Sequence, residues 1–324
     1  MIFRAALPAL LFALAARLSL AGAPLDDGRR LFDAGNFKEA VSVLRPAAEQ
    51  APADGRLQYW LARCYYELSD FDNAVTEAER AVRADPGNSE YHQWLGRACG
   101  GKAEQTRSFF LARRVKKEFE EAVRLDGSNI SARRDLTDFL IEAPWILGGS
   151  KEKARQQAEA ISALDPVQGR LALAAVWLGE NKIDQAAAEY QRVLAAAPAK
   201  VEPYLEIAAF YERRENGDAL DRTVDAAAHV NSADPRLGYY RAAARILKGD
   251  RLPEAEQLLR SYVVEVPARS DFPSYAAARE WLGRLFEKVG KRNEAAEQYR
   301  VAVQLDPGRE SARLRLRRVA REEQ

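Results

Sequence analysis

The sequence predicts an all-α solenoid, in which helix pairs stack along the chain and share a buried core. The first observation is a repeated signature, an alanine followed twelve residues later by a proline. It occurs at 40–52, 74–86, 154–166, 186–198, 255–267 and 295–307. The second observation is that another amphipathic stretch precedes each signature, for example LQYWLARCYYEL or AAAREWLGRLFEKVG. Because one amphipathic pair cannot bury its own apolar face, successive pairs have to stack.

Each unit is predicted to be a helix, a tight turn, a second helix and a proline that ends it. Small residues on the first helix, such as Ala62, Gly96 and Gly283, are expected to let the two helices approach closely. After Pro307 the stretch GRESARLRLRRVAREEQ is predicted to be a polar capping helix, which such arrays need at their ends.

These residues resemble the tetratricopeptide repeat (TPR) family, most clearly in WLGRLFEKVGKRNEAAEQYRVAVQLDP at 281–307. The resemblance covers nearly the whole chain after residue 21. It implies a right-handed all-α superhelix whose concave groove is lined by the first helix of each repeat. The predicted repeats are 22–54, 55–88, 89–129, 130–166, 167–200, 201–235, 236–275 and 276–308, with the capping helix at 309–324.

Residues 1–21 are predicted to be a secretory signal peptide. Arg4 gives a positive start, 5–16 is apolar, and small residues place the cleavage site after Ala21. The apolar run is too short to span a membrane, and Arg17 interrupts it. We therefore expect a periplasmic or secreted protein. An uncleaved N-terminal helix on a cytoplasmic protein is the alternative.

The third and fourth predicted repeats are lengthened, and they resemble a pair of long repeats found in some exported bacterial TPR proteins. The insertion in the fourth is EAPWILGGS, which is predicted to be an enlarged turn. Pro144 would end one helix, the two glycines would permit the reversal, and Ser150 would cap the next helix. The spacing of a P-loop is absent. Trp145 and Ile146 are expected to fold back onto repeats three and four, or else to contact a partner.

The face predicted to line the groove in repeats two to four combines aromatic side chains with arginines, the composition of binding hot spots. Its predicted residues are Arg56, Tyr59, Trp60, Arg63, Tyr66, Trp94, Arg97 and Arg134. They indicate a site for an extended peptide or a helix, with a carboxylate held by Arg63 and Arg97. The alternative is that the tryptophans pack against neighbouring repeats and the arginines pair with nearby Glu. The groove face of the later repeats is expected to be less distinctive.

Composition argues against several other functions. The balance of 49 basic and 48 acidic residues gives no reason to expect nucleic acid as a partner. With two His and no hydrolase, metalloprotease or dinucleotide motif, neither an enzyme nor a cofactor or metal site is predicted. Cys64 and Cys99 are expected to be buried free thiols, with a disulfide as the alternative in an exported protein.

The sequence therefore predicts a non-catalytic protein–protein interaction scaffold of the bacterial cell envelope. It would hold partner peptides or helices in its groove, and it would have no integral membrane span. Two alternatives stay open: a cytoplasmic TPR regulator or co-chaperone, and a module that binds a glycan or another small ligand. The sequence names neither the partner nor the oligomeric state.

Overall fold

A computed structural model describes residues 23–321, so the predicted signal peptide and its cleavage site lie outside the described residues. Every regular element within this range is helical, and no strand is present in it. The predicted all-α class is confirmed.

The helices follow one another with short turns between them. In chain order they are α1 (23–33), α2 (Phe37–Gln50), α3 (Gly55–Glu67), α4 (Phe71–Ala84), α5 (Ser89–Thr106), α6 (Phe109–Leu125), α7 (Ile130–Glu142), a 3-10 turn (Trp145–Leu147), α8 (Lys151–Leu164), α9 (Pro166–Gly179), α10 (Ile183–Ala195), α11 (Glu202–Arg213), α12 (Gly217–Val230), α13 (Arg236–Lys248), α14 (Leu252–Glu265), α15 (Tyr275–Lys288), α16 (Arg292–Leu305) and α17 (Glu310–Arg321). The helix that carries each alanine–proline signature ends two or three residues before the proline, as predicted.

The described residues divide into two compact units, 23–186 (unit 1) and 187–321 (unit 2). In unit 1 the helices pack as the pairs α3 with α4, α5 with α6 and α7 with α8. The first helices also contact one another, α3 with α5 and α5 with α7. In unit 2 the same pattern pairs α11 with α12, α13 with α14 and α15 with α16, while α17 packs on α16. Stacked helix pairs of this kind are an α-solenoid.

Glycines on the first helices allow the close approach of helices within a pair. A Cβ atom on Gly96 would lie 2.5 Å from the ring of Phe119 on the second helix. At the equivalent place in unit 2, a Cβ on Gly283 would lie 2.5 Å from the ring of Tyr299. Since real Cβ contacts are longer than this, the aromatic ring occupies the space that a side chain would need. The predicted role of these glycines is confirmed.

Both cysteines lie in the core of unit 1. Cys64 and Cys99 are fully buried and are not joined in a disulfide. Burial raises the pKa of Cys64 to about 12 and that of Cys99 to about 11. Because the thiolate is the reactive form, both thiols behave here as small apolar core residues.

The insertion EAPWILGGS forms the predicted enlarged turn. α7 ends at Glu142, Gly148 has a φ of +91°, and Ser150 caps α8 by accepting a hydrogen bond from the Lys153 amide at 3.3 Å. A Cβ on Gly149 would lie 1.8 Å from the carbonyl oxygen of Ala143, so the reversal at this position requires glycine.

The expectation that the side chains of this turn fold back onto the solenoid is wrong. Trp145 is 85% exposed and Ile146 is 60% exposed. The 3-10 turn begins directly after Pro144, and the backbone N–H and C=O groups of the turn form hydrogen bonds with one another. Of the three residues of this turn, only Leu147 borders the cavity between the neighbouring helices.

Candidate interaction surface on the first helices

Arg63 on α3 is surrounded by aromatic rings from three successive first helices. Its guanidinium carbon lies 4.6 Å from the ring centre of Phe32 and 5.5 Å from that of Tyr59. It lies 4.2 Å from the ring centre of Trp60 and 4.8 Å from that of Trp94. A cation held over aromatic faces at these distances is stabilised by their quadrupoles. We call these five residues the arginine–aromatic cluster.

The rings of this cluster pack edge to face with one another. Trp60 meets Phe32 at 5.3 Å and Tyr59 at 5.6 Å, and Tyr59 meets Trp94 at 6.3 Å between ring centres. Tyr59 and Trp94 are each only 9% exposed, so they chiefly hold the cluster together. Trp60 and Arg63 are partly exposed and form its accessible surface.

The hydrogen-bonding capacity of Arg63 is largely unused. Its Nη1 donates to the Tyr59 hydroxyl at 3.5 Å, while its buried Nε has no hydrogen-bond partner among the described residues. Within residues 23–321 no carboxylate forms an ion pair with it. Arg29 of α1 lies 5.2 Å from the ring centre of Trp60, which adds a second positive charge beside the cluster.

Arg97 is engaged within the protein. Its Nε donates to Asp135 Oδ2 at 2.7 Å and its Nη2 to Asp135 Oδ1 at 3.1 Å. Gln93 donates to the same Asp135 Oδ2 at 2.6 Å. The bidentate fork of Arg97 is therefore occupied by α7, and it cannot share a partner's carboxylate with Arg63 as the sequence suggested.

Three tryptophans carry an arginine three residues further along the same helix. The distance from guanidinium carbon to indole centre is 4.2 Å for Arg63 on Trp60, 4.8 Å for Arg97 on Trp94 and 3.9 Å for Arg284 on Trp281. Two of these arginines are neutralised by the chain itself, Arg97 by Asp135 and Arg284 by Glu215 at 2.9 Å. Arg63 is the one of the three without a carboxylate among the described residues.

The other predicted groove residues lie around the cluster. Arg56 is exposed at the start of α3 and pairs with Asp54, and its hydrogen bond holds the pKa of that carboxyl below its ordinary value. Tyr66 packs edge-on against Trp94 at 5.7 Å. Arg134 is partly buried on α7. Arg56 and Tyr66 lie on the same helix as Arg63, whereas Arg134 lies two first helices further along the chain.

The first helices of unit 2 hold a polar network that sequence reasoning missed. Glu212 of α11 accepts hydrogen bonds from the Tyr239 hydroxyl and from Trp281 Nε1, the latter at 2.7 Å. Burial raises the pKa of Glu212 above its ordinary value of 4.5, although both hydrogen bonds act in the opposite direction. The sequence feature that could have indicated this network is the position of Trp281 within its repeat, which matches the positions of Trp60 and Trp94 in theirs.

This network predicts a pH-dependent contribution to stability. Since the folded state binds the Glu212 proton more tightly than the unfolded state, the contribution is complete below pH 4.5 and is lost as pH rises through the folded pKa. We expect the stability of the native protein relative to Glu212→Gln to fall as pH rises. Urea unfolding of both proteins at a series of pH values measures this. The exposed Glu265→Gln serves as the control, and a difference for Glu212→Gln that does not vary with pH would contradict the prediction.

The described part of the chain contains no group of three or more His, Cys, Asp or Glu side chains placed to hold a metal ion. In the same range no helix combines the length and the apolar character needed to cross a bilayer.

Comparison with known proteins decides the family. The tetratricopeptide repeat profile matches residues 31–98, which include the arginine–aromatic cluster, and a second profile of the same repeat matches residues 267–310. The chain contains TPR repeats. The helix pairs within the two matched ranges are repeats of that family, and TPR proteins are in general non-catalytic scaffolds for protein–protein interaction.

One solved structure supports the fold, and two further TPR structures are similar at lower scores. The APC/C hetero-tetramer Cut9–Hcn1 contains a chain 15% identical to this TPR protein, with a TM-score of 0.54, covering 87% of this chain and 53% of that one. A TPR protein of Thermus thermophilus is 22% identical, with a TM-score of 0.49, and covers 59% of this chain and 98% of that one. A TPR protein of Parabacteroides merdae is 13% identical, with a TM-score of 0.45, covering 93% and 98%. At 15% identity the likeness to the Cut9–Hcn1 chain is one of fold.

Proposed function

We propose that this TPR protein is a non-catalytic scaffold of the bacterial cell envelope that holds an acidic segment of a partner protein on the first helices of unit 1. One observation carries the proposal. Of three equivalent Trp–Arg stacks, only that of Arg63 has no carboxylate from the described chain. The partner supplies that carboxylate.

The chemistry of the guanidinium group supports this pairing. Arginine presents five N–H donors in a planar fork that matches a carboxylate bidentately. Four rings already fix the position of Arg63, so binding costs little further side-chain entropy. An isolated exposed ion pair is worth little, but one held over aromatic faces and partly shielded from water is stronger.

The neighbouring side chains define the rest of the ligand. Trp60 is partly exposed beside Arg63, and the guanidinium carbon of Arg29 lies 5.2 Å from its ring centre as a second cation. We infer that the partner segment carries an Asp, a Glu or a C-terminal carboxylate next to an apolar side chain. The carboxylate pairs with Arg63 and the apolar group covers Trp60.

The envelope location rests on the N-terminal sequence. Residues 1–21 have the positive start, apolar centre and small-residue cleavage site of a secretory leader. The partner is therefore sought among envelope proteins.

Crosslinked affinity capture from the native envelope fraction tests both parts of the proposal. The bait is compared with Arg63→Met, which keeps an apolar side chain among the rings. Arg222→Met is the matched control, because Arg222 is an exposed arginine of unit 2 without an ion pair. We expect native bait and control to capture the same partner and Arg63→Met to lose it, with affinity reduced about tenfold or more.

Two results would contradict the proposal. An unchanged set of captured proteins with Arg63→Met, at an unchanged unfolding midpoint, would exclude this site. A bait whose intact mass retains residues 1–21 would exclude export by signal cleavage and leave the arginine site to be tested in the cytoplasm.

A further inference from the structure

Four large apolar side chains stand out from two turns of unit 1. Phe109 and Phe110 begin α6 and are 44% and 85% exposed. Trp145 and Ile146 lie in the 3-10 turn and are 85% and 60% exposed. Single exposed apolar residues are ordinary, but a contiguous group of large ones marks an interaction surface. We call these four residues the edge patch.

The two turns are neighbours in space. The 3-10 turn contacts α6, and a Cβ atom on Gly148 would lie 2.7 Å from Lys116 Nζ of that helix. Phe109 on one turn and Leu147 on the other border the same cavity of about 780 Å³. The edge patch is therefore built from the lengthened parts of two successive helix pairs, which contact each other and border one cavity.

Cations surround this surface. Arg107 lies between α5 and α6, Arg113 and Lys117 lie in the second and third turns of α6, and Lys153 lies in the first turn of α8; none forms an ion pair with a described residue. Other cations of the region are neutralised, Arg114 by Glu79 and Lys116 by Glu120.

Glu90 and Glu159 also lack ion pairs but lie away from the two turns on α5 and α8, and the carboxylates without ion pairs beside the turns are Glu104 and Glu142. Set against the four unpaired cations, they leave the edge with an excess of positive charge.

We propose that the edge patch docks this protein on an anionic phospholipid surface. Trp and Phe side chains partition favourably at the headgroup level of a bilayer, and Lys and Arg are attracted to anionic headgroups. Phe110, Trp145 and Ile146 protrude and are not among the residues that border the cavity, which Phe109 adjoins. A fluid lipid surface accommodates protruding side chains without the shape-matched pocket that a protein partner has to supply.

Vesicle co-sedimentation of the purified full chain tests the proposal. One set of vesicles is phosphatidylcholine, and the other contains about one third phosphatidylglycerol. Phe110→Ser with Trp145→Ser removes two members of the patch, and Arg113→Glu with Lys117→Glu reverses its charge. Val264→Ser is the apolar control, since Val264 is 81% exposed in unit 2. Lys200→Glu with Lys288→Glu is the charge control, because both lysines are exposed in unit 2.

We expect the native protein and both controls to bind the anionic vesicles and not pure phosphatidylcholine. Each patch variant should lower the partition coefficient by about tenfold or more. Binding should weaken in salt as the Debye length shortens. Arg63→Met should bind vesicles like the native protein, so this result is independent of the arginine site.

Three outcomes would overturn the proposal. They are no binding of the native protein to anionic vesicles, equal binding to both vesicle types, or patch variants that bind like their controls. A protein crosslinked through position 145 when vesicles do not bind would also overturn it, because the edge would then be a protein-docking surface.

Discussion

Tyr239→Ala is expected to lower the free energy of unfolding by about 3–5 kcal/mol, the range for removing a large buried ring. Tyr239 is 1% exposed on α13 and packs against Tyr240 at 5.1 Å and Tyr262 at 5.4 Å between ring centres. The substitution leaves a cavity among these rings. It also removes one of the two hydrogen-bond donors to Glu212. The partly desolvated carboxylate then keeps only one of the two hydrogen bonds that offset the cost of its burial.

Tyr239→Phe separates the two contributions. It keeps the ring and removes only the hydroxyl, so we expect a cost of about 1–2 kcal/mol. Urea unfolding followed by far-ultraviolet circular dichroism measures both variants. Equal costs for Ala and Phe would show that the hydrogen bond dominates and that the ring is not a packing element, contrary to its burial.

Gly96→Ala is expected to destabilise the protein by about 1–3 kcal/mol, the usual cost of overpacking. In an ordinary helix this change would stabilise by about 0.5–1 kcal/mol, because glycine has the greater backbone entropy in the unfolded chain. At this position the new methyl group would lie 2.5 Å from the ring of Phe119, so α5 and α6 would have to separate. The steric cost of this clash is therefore expected to exceed the gain in helix propensity.

Gly100→Ala is the matched control on the same helix. Its Cβ would lie 3.9 Å from Val115 Cγ2, an ordinary contact distance. We therefore expect it to stabilise the protein by about 0.5–1 kcal/mol. Thermal or urea unfolding of the two variants should give opposite signs, and the same sign for both would contradict the close-packing account.

The three Trp–Arg stacks show how one local pattern acquires different roles. The spacing of tryptophan and arginine on a helix is set by the chain, and it brings the two side chains together in all three cases. Whether the arginine is neutralised depends on other helix pairs, which supply Asp135 to Arg97 and Glu215 to Arg284. No such carboxylate reaches Arg63 among the described residues, so its charge is available to a partner.

The insertion that carries Trp145 was also predicted only in part from the sequence. The sequence indicated that EAPWILGGS is a turn, and the proline, the glycines and Ser150 take their predicted places. It did not indicate the direction of Trp145, because a turn of this length can fold onto either side of its neighbours. Contact of the 3-10 turn with α6 decides that direction.

The sequence by itself determined the helices, their pairing and the close approach at Gly96, because each depends on local periodicity and on the volume of single residues. It also located the face that carries Arg63, Trp60 and Trp94. Only the tertiary structure decided that Arg97 is occupied, that Glu212 is shared by Tyr239 and Trp281, and that Trp145 is exposed. The physical reason is that ion pairing and exposure depend on groups from other helices. The periodicity of one helix does not indicate which groups of other helices lie next to a given side chain.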